Sequence, residues 1–303
     1  MKTDIVFDVI IIGGSYAGLS SAMSLGRSLR NVLIIDGGKP CNRQTPYSHN
    51  FLTHDGKTPQ EISQMAKVQV KQYPTVLFYE GEAVKGVKTD TGFIITTNSG
   101  EEFSSRKLIL AAGIKDIMPD IKGFSESWGI SVIHCPYCHG YEYRNEKTGI
   151  IANGDRAVHM TSLINNLTKD LTILTSGPAD FDAEQRAKLE RHGIPVIEKK
   201  ITEIEHQNGH VDNIVFEDGT KMNFKAVYAA IPFLQNCDIA EQLGCELTEQ
   251  GYIQVDSMQK TNVPGVFACG DSTSMMRSVA LAVASGNLAG AMLNMELVSE
   301  IFA

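Results

Sequence analysis

Near the middle of the chain two cysteines stand two residues apart and a histidine follows at once: Cys135-Pro136-Tyr137-Cys138-His139. Three chemistries use such a pattern. Cys-x-x-Cys-His attaches a c-type haem, which needs export and an axial-ligand context that the sequence does not offer. Zinc could be held by His134, Cys135, Cys138 and His139, but structural zinc usually draws two ligand pairs from separated segments, and no second pair occurs. The third chemistry is a dithiol/disulfide couple, because sulfurs at this spacing can close a small ring with the first thiolate exposed at a helix start. Such a couple needs an electron source or sink, and a group to move the proton that accompanies each thiolate. His139 is the candidate for the proton, since imidazole titrates near neutral pH. The other cysteines, Cys41, Cys237, Cys245 and Cys269, are scattered and read as small buried apolar residues. Cys41, in a loop after Gly-Gly-Lys-Pro, is the one expected to be exposed.

A second set of residues supplies the electron carrier's site. A nucleotide pyrophosphate needs a tight backbone turn, close approach of that backbone, and a helix N-terminus with unsatisfied N–H groups. Gly13-Gly14-Ser15-Tyr16-Ala17-Gly18 offers this, with Gly13 and Gly18 at the outer positions of G-x-G-x-x-G and Ser15 at the middle one. Asp36 lies 23 residues after Gly13, placed to accept hydrogen bonds from a ribose 2′-hydroxyl. Its charge would repel a 2′-phosphate, so this turn suits FAD or NAD and not NADP.

The elements around these residues agree. Phe7–Ile12 is a continuous apolar run, as expected of a strand buried on both faces. A helical pattern follows the glycines to about Arg30, and Asn31–Ile35 reads as a second buried strand ending at Asp36, completing a βαβ unit. FIITTN and LILAAG read as further strands between Phe78 and Gly113. A second strand–turn–helix–strand echoes the first about 140 residues later: Gly149–Ala152, then Asn153-Gly154-Asp155-Arg156-Ala157, then Leu171–Leu174. Fold class is therefore α/β, with two Rossmann-like domains.

Composition excludes other classes. The 303 residues carry 27 Lys+Arg against 35 Asp+Glu, a net charge of −8, and 43% are hydrophobic. That suits a soluble two-domain protein and argues against nucleic acid or an anionic membrane as partner. The apolar stretch Ser278–Leu297 is broken by Ser285, Gly286 and Asn287 and reads as a close-packed helix, not a membrane span. No targeting segment is recognised, and a cytoplasmic location is expected.

Taken together, the GGSYAG turn with Asp36, LILAAG ending at Gly113, CPYCHG, and TNVPGVFACGD followed by Arg277-Ser278-Val279 resemble the low-molecular-weight thioredoxin reductases and thioredoxin-reductase-like flavoproteins. These segments span nearly the whole chain in the family's order. The resemblance implies a discontinuous FAD domain, 1–113 plus 240–303, with a pyridine-nucleotide-type domain, 114–239, inserted and carrying the Cys pair. It implies FAD with its pyrophosphate over Gly13–Gly18 and its ribose at Asp36 and Gly37. Arg43, Gln44 and His49 would lie along the cofactor, and the backbone of Val84 at the adenine. Ala112, Gly113, Gly270, Asp271, Ser278 and Val279 would complete the site, with Asp271 at the ribityl chain and the Val279 N–H at the flavin pyrimidine. Cys138 would stand beside the flavin, Cys135 would attack substrate, and the chain would form a homodimer.

Three departures from the family pattern matter. His139 replaces the usual Asp after the second cysteine. The second turn begins with Ala152 where the family has glycine, and a Cβ there crowds a pyrophosphate. After the next strand the family's arginines are replaced by Thr175-Ser176-Gly177-Pro178-Ala179-Asp180, with no cation to neutralise a 2′-phosphate. The expectation is an FAD disulfide oxidoreductase that makes little use of NADPH or NADH. Its partner would be a thioredoxin-like protein or a small dithiol/disulfide, with ferredoxin or another flavoprotein as possible donor. An O2-dependent dithiol oxidase, and a non-catalytic FAD-bound redox sensor, are the alternatives.

Overall fold

The computed structural model describes residues 2–302, with side chains from Ile5 onward; Met1 and Ala303, which the expected FAD domain includes, lie outside the described residues. Two compact units form. The first comprises the chain up to Arg43, Phe51–Lys115 and the chain from Phe233; the second comprises Gln44–Asn50 and Asp116–Pro232.

The first unit runs β1 (Lys2–Ile12), α1 (Tyr16–Arg27), β2 (Val32–Asp36), α2 (Pro59–Val70), β3 (Val76–Glu80), β4 (Ala83–Thr89), β5 (Gly92–Thr97) and β6 (Glu102–Leu110). Its sheet is ordered β3-β2-β1-β6-β5-β4, and Val266–Ala268 also pairs with β6. β1, β2, β3, β6 and Val266–Ala268 are parallel, while β4 and β5 form an antiparallel hairpin against β6. Both faces of β1 are covered, which explains its unbroken apolar run. Val9 and Ile11 pack with α1, α2 and the C-terminal helix, whereas Ile10 and Ile12 pack with Phe93, Ile95, Ile239 and Ile253.

The C-terminal helix extends further than the sequence suggests, over Val279–Phe302. Among the described residues it is the one helix long and apolar enough to cross a membrane. Its small residues lie against α1. A Cβ at Gly286 would come 2.1 Å from the Ala17 carbonyl oxygen, and one at Gly290 2.6 Å from that of Ser21. Ser20 and Ser21 hydroxyls donate to the Val283 and Gly286 carbonyls at 2.7 and 2.8 Å.

The second unit holds five parallel strands in the order Val196–Ile197, Leu171–Leu174, Thr148–Ile151, Ala226–Ala229, Val132–Ile133. Helices Gly154–Ile164 and Ala183–Arg191 cover one face through Ala157, Met160, Ile164 and Leu189. An antiparallel sheet of Ile201–Gln207, His210–Phe216 and Lys221–Asn223 covers the other through Ile204, Val211, Ile214 and Phe216. Each unit is thus Rossmann-like. The segment 44–50, which the sequence reading assigns to the FAD domain, groups with the second unit. There Gln44 lies so close to Gly129 that a Cβ at Gly129 would meet its side chain at 3.2 Å.

Candidate active site

After β1 the chain turns through Gly13 at φ +105°, a conformation that side chains resist. A Cβ there would also strike the Ala111 carbonyl oxygen at 2.3 Å, and one at Gly18 would come 1.9 Å from the Gly13 carbonyl oxygen. The glycines therefore let α1 start directly above the turn. Ser15 makes no side-chain cap hydrogen bond, and the first turn of this 12-residue helix contains no acid. Its positive end faces no carboxylate of its own, which suits a phosphate.

Asp36 closes β2. Its Oδ1 accepts from Gly14 N at 3.1 Å and Gly38 N at 3.3 Å, and Lys67 Nζ stands 3.3 Å from Oδ2. A carboxylate has about four lone-pair sites, so capacity remains for a ribose hydroxyl. Gly37 sits against Glu82, where a Cβ would meet its Cγ at 2.9 Å. Tyr16 donates its hydroxyl to the Pro59 carbonyl at 3.1 Å, and Ala17 lies under Gly286. In the loop after β2, Asn42 Oδ1 is buried without a hydrogen-bond partner. A bare helix end, a glycine cradle, an acid at the second strand and a buried acceptor lacking a donor all fit FAD.

Further along the same sheet edge, Ala112 and Gly113 follow β6. Gly113, at φ +71°, donates its N–H to Ser272 Oγ at 2.9 Å, and the Ala112 carbonyl accepts from Asn236 Nδ2 at 3.3 Å. Gly270, at φ +77°, donates to Ser285 Oγ at 3.0 Å and opens the turn that carries Asp271. The Cys41 thiol donates to Asp271 Oδ2 at 3.5 Å, and Arg277 Nε lies 3.8 Å from the same oxygen. Cys41 is therefore half-buried and not exposed as the loop composition suggests. Burial, reinforced by the Asp271 carboxylate, pushes its thiol up to about 12. No sequence signal joins Cys41 to Asp271. Ser278 accepts from Leu281 N at 3.1 Å and so caps the helix that Val279 begins. Arg43 turns back on its own loop, donating to the Pro40 carbonyl at 3.1 Å, and the Val84 carbonyl accepts from Gln242 Nε2 at 3.0 Å. Gln44 and His49 belong to the second unit.

The Cys pair follows the strand Val132–Ile133. Cys135 immediately precedes the single helical turn Pro136–His139, and it is disulfide-bonded to Cys138 with a Cα–Cα distance of 5.3 Å. Pro136 at the first helical position costs no hydrogen bond, because that N–H has no intrahelical partner. Cys138 N donates to Cys135 Sγ at 3.2 Å. Gly140 must lack a side chain, since a Cβ would come 2.3 Å from the Pro136 carbonyl oxygen. Tyr137, between the sulfurs, is 65% exposed. The ring before the pair, His134, stacks on Trp128 at 5.8 Å; Trp128 stacks in turn on Phe124 and donates Nε1 to Asp116 Oδ2 at 3.1 Å.

His139 meets two side chains absent from the sequence reading of the pair. His49 approaches edge-on, its ring centroid 6.3 Å from that of His139 at an interplanar angle of 88°. His49 Nε2 lies 3.6 Å from Glu142 Oε1. Burial holds His139 below the ordinary histidine value, His49 adds to the depression, and Glu142 opposes it.

The second glycine-rich turn is arranged differently from the first. Asn153 precedes its helix, and its Oδ1 accepts from Gly154 N and from Asp180 N, both at 2.9 Å. Its Nδ2 donates to the Pro178 carbonyl at 2.8 Å. One side chain thus takes the first N–H of the helix and ties the helix start to the loop after the next strand. Asp155 stands in the first helical turn. In that loop Ala179 N donates to Glu198 Oε2 at 2.9 Å, and Arg186 gives its guanidinium to the Ala179 and Phe181 carbonyls.

Comparison with known proteins agrees with this geometry. The family described as pyridine nucleotide-disulphide oxidoreductase matches residues 7–286. The chain is 33% identical to the thioredoxin reductase sirT of Leptosphaeria maculans, covering 96% of this chain and 94% of that protein. It is also 33% identical to the thioredoxin reductase tcpT of Claviceps purpurea, over 99% and 97% of the two chains. Among solved structures, an oxidoreductase from Agrobacterium tumefaciens superposes with a TM-score of 0.91 at 39% identity, covering 97% of this chain and 99% of the other.

Proposed function

The chain belongs to the pyridine nucleotide-disulphide oxidoreductase family and is an FAD-dependent, thioredoxin-reductase-like disulfide oxidoreductase, and on that premise we propose that it exchanges electron pairs with a dithiol/disulfide substrate through Cys135–Cys138 while making little use of NADPH. The observation that carries the reading is the paired Cys135–Cys138 in one helical turn, with His139 next in the chain. Bound FAD supplies a two-electron acceptor or donor.

The chain's own residues do the thiol chemistry. Cys138 N–H, 3.2 Å from Cys135 Sγ, stabilises negative charge on that sulfur once the pair is reduced. Cys135 is then the sulfur that exchanges with substrate, and the exposed Tyr137 marks the side from which substrate approaches. His139, held below the ordinary histidine value by burial, stays a free base near neutral pH and can take a proton from an incoming thiol. The substrate is a thioredoxin-like protein or a small dithiol, and the enzyme works as a homodimer in the cytoplasm.

The NADPH part rests on the second turn. Asn153 takes the first N–H of the helix and that of Asp180, and Glu198 takes a backbone N–H of the loop where cations would be needed. Losing two or three charged hydrogen bonds to a 2′-phosphate, at about 1.5–3 kcal/mol each, weakens binding by roughly two orders of magnitude or more. A second reading gains from the same feature: with no nicotinamide donor, substrate dithiol becomes the reductant, and the electron pair leaves to O2 as hydrogen peroxide. Anaerobic titration with NADPH, NADH and dithiothreitol, followed by the flavin spectrum, tests both. Dithiothreitol should bleach the flavin and micromolar NADPH should not; rapid bleaching by NADPH would overturn the proposal. Peroxide on readmitting O2 after dithiol bleaching would identify the oxidase.

A further inference from the structure

His49 lies ninety residues before His139, and nothing in the sequence links them. Both lie in the second unit, with Glu142 completing the group. We propose that His49 and Glu142 are positioning residues for the dithiol chemistry: Glu142 holds His49 edge-on against His139, and the two together decide whether His139 can receive a thiol proton. This rests on the reading of His139 as the group that moves that proton.

The geometry sets two opposed influences. His49, its ring centroid 6.3 Å from that of His139, disfavours a proton there, while the Glu142 carboxylate favours one. Glu142 is 3.6 Å from His49 Nε2, so it also orients that ring. The neighbouring phenols add no charge: burial raises both Tyr143 and Tyr228 above the ordinary tyrosine value, and Tyr143 donates its proton to the Ile130 carbonyl at 2.9 Å. The disulfide is uncharged. His49 and Glu142 are thus the ionisable side chains that bias His139.

The step they support balances. His139 takes the proton of one substrate thiol, and the resulting thiolate attacks Cys135 Sγ. A substrate–Cys135 mixed disulfide forms, the Cys135–Cys138 bond breaks, and Cys138 leaves as a thiolate that the proton on His139 can neutralise. The second substrate thiol, losing its proton to solvent, then displaces Cys135, whose thiolate takes a proton back from solvent. The substrate becomes a disulfide and the pair a dithiol, with two electrons transferred.

Protein labelled with 13C at histidine Cε1, FAD-loaded and oxidised, allows each ring's midpoint to be read by NMR, with His139→Gln assigning its signal. The His139 midpoint should lie below about 6.5. His49→Gln should raise it by up to about 2 pH units, the upper limit for a charge 6.3 Å away at protein-surface dielectric. Adding Glu142→Gln to His49→Gln should bring it back down. A midpoint unmoved by His49→Gln, or unmoved by the added Glu142→Gln, overturns the inference. Failure of the underlying reading looks different: His139→Gln would then leave unchanged the pH profile of the pair's reduction by dithiothreitol, followed by thiol alkylation, while the midpoints still moved.

Discussion

In the first unit a parallel strand ends at Ile12 and a helix starts at Tyr16; in the second a strand ends at Ile151 and a helix starts at Gly154. The helix starts are then furnished in opposite ways. The first has an uncommitted Ser15 and no acid in its opening turn, while its carboxylate stands at the end of the next strand, as Asp36. The second has Asn153 bound across to Pro178 and Asp180, and an acid in the opening turn itself. A helix end is an anion site only when its donors are unspent. One fold can therefore keep its architecture in two places and its ligand chemistry in one.

Substitutions in each of the two turns test that contrast. Gly18→Val in the first should abolish flavin binding, because the Gly13 carbonyl oxygen would be 1.9 Å from the new Cβ. Gly154→Ala in the second should leave flavin content intact and cost about 1 kcal/mol for a left-handed residue, since its Cβ would come no nearer than 3.3 Å to Asp180. Flavin-to-protein absorbance ratios and thermal melts read both, with circular dichroism checking the fold of Gly18→Val. A Gly18→Val protein that folds and keeps a full complement of flavin would break the contrast.

A smaller effect is expected at the acid. Asp36→Asn removes charge from the hydrogen bond that a ribose hydroxyl would donate, a loss of roughly 1.5–3 kcal/mol, or about ten- to a hundredfold in FAD affinity. Asp155→Asn, its counterpart only by proximity to the other helix start, should change FAD affinity not at all. Equilibrium titration of flavin-stripped protein measures each.

The smallest effect concerns the frame of the first unit alone. Glu296 is hydrogen-bonded to Lys107 and Lys260, both at 2.7 Å. Its burial would raise the carboxyl, but those two ammonium groups outweigh burial and hold it below the ordinary carboxylate range. A depressed carboxyl stabilises the folded state above the unfolded value, near 4.3, and that contribution fades as pH falls through the folded value. Because the pair is partly exposed, Glu296→Gln should cost about 1 kcal/mol or less near neutral pH. The melting-temperature gap to the parent protein should close below about pH 4; a gap that persists there would rule out this ion pair as its source.

Much of the fold is legible in the residue pattern, for a local reason. Phe7–Ile12 and Leu171–Leu174 read as buried strands because both faces of a covered parallel strand must be apolar, and GGSYAG reads as a phosphate turn because a carbonyl oxygen 1.9 Å from any Gly18 Cβ excludes other residues. Cys135, Cys138 and His139 are legible because their chemistry depends on neighbours within one helical turn. The sequence also exposes what the second turn lacks, its first glycine and its cations. What it does not expose is what fills the space instead. Asn153 reads as an ordinary helix cap until Pro178 and Asp180 come within hydrogen-bond reach.

Family, the two nucleotide folds and the redox pair thus follow from spacing along the chain, which local motifs carry. Packing is what tethers Cys41 to Asp271, ties Asn153 to Pro178 and Asp180, and brings His49 and Glu142 beside His139. Those contacts join residues separated by tens to hundreds of positions, except for the local pair His139 and Glu142. Their energies come from burial and charge separation, which exist only once the strands have packed.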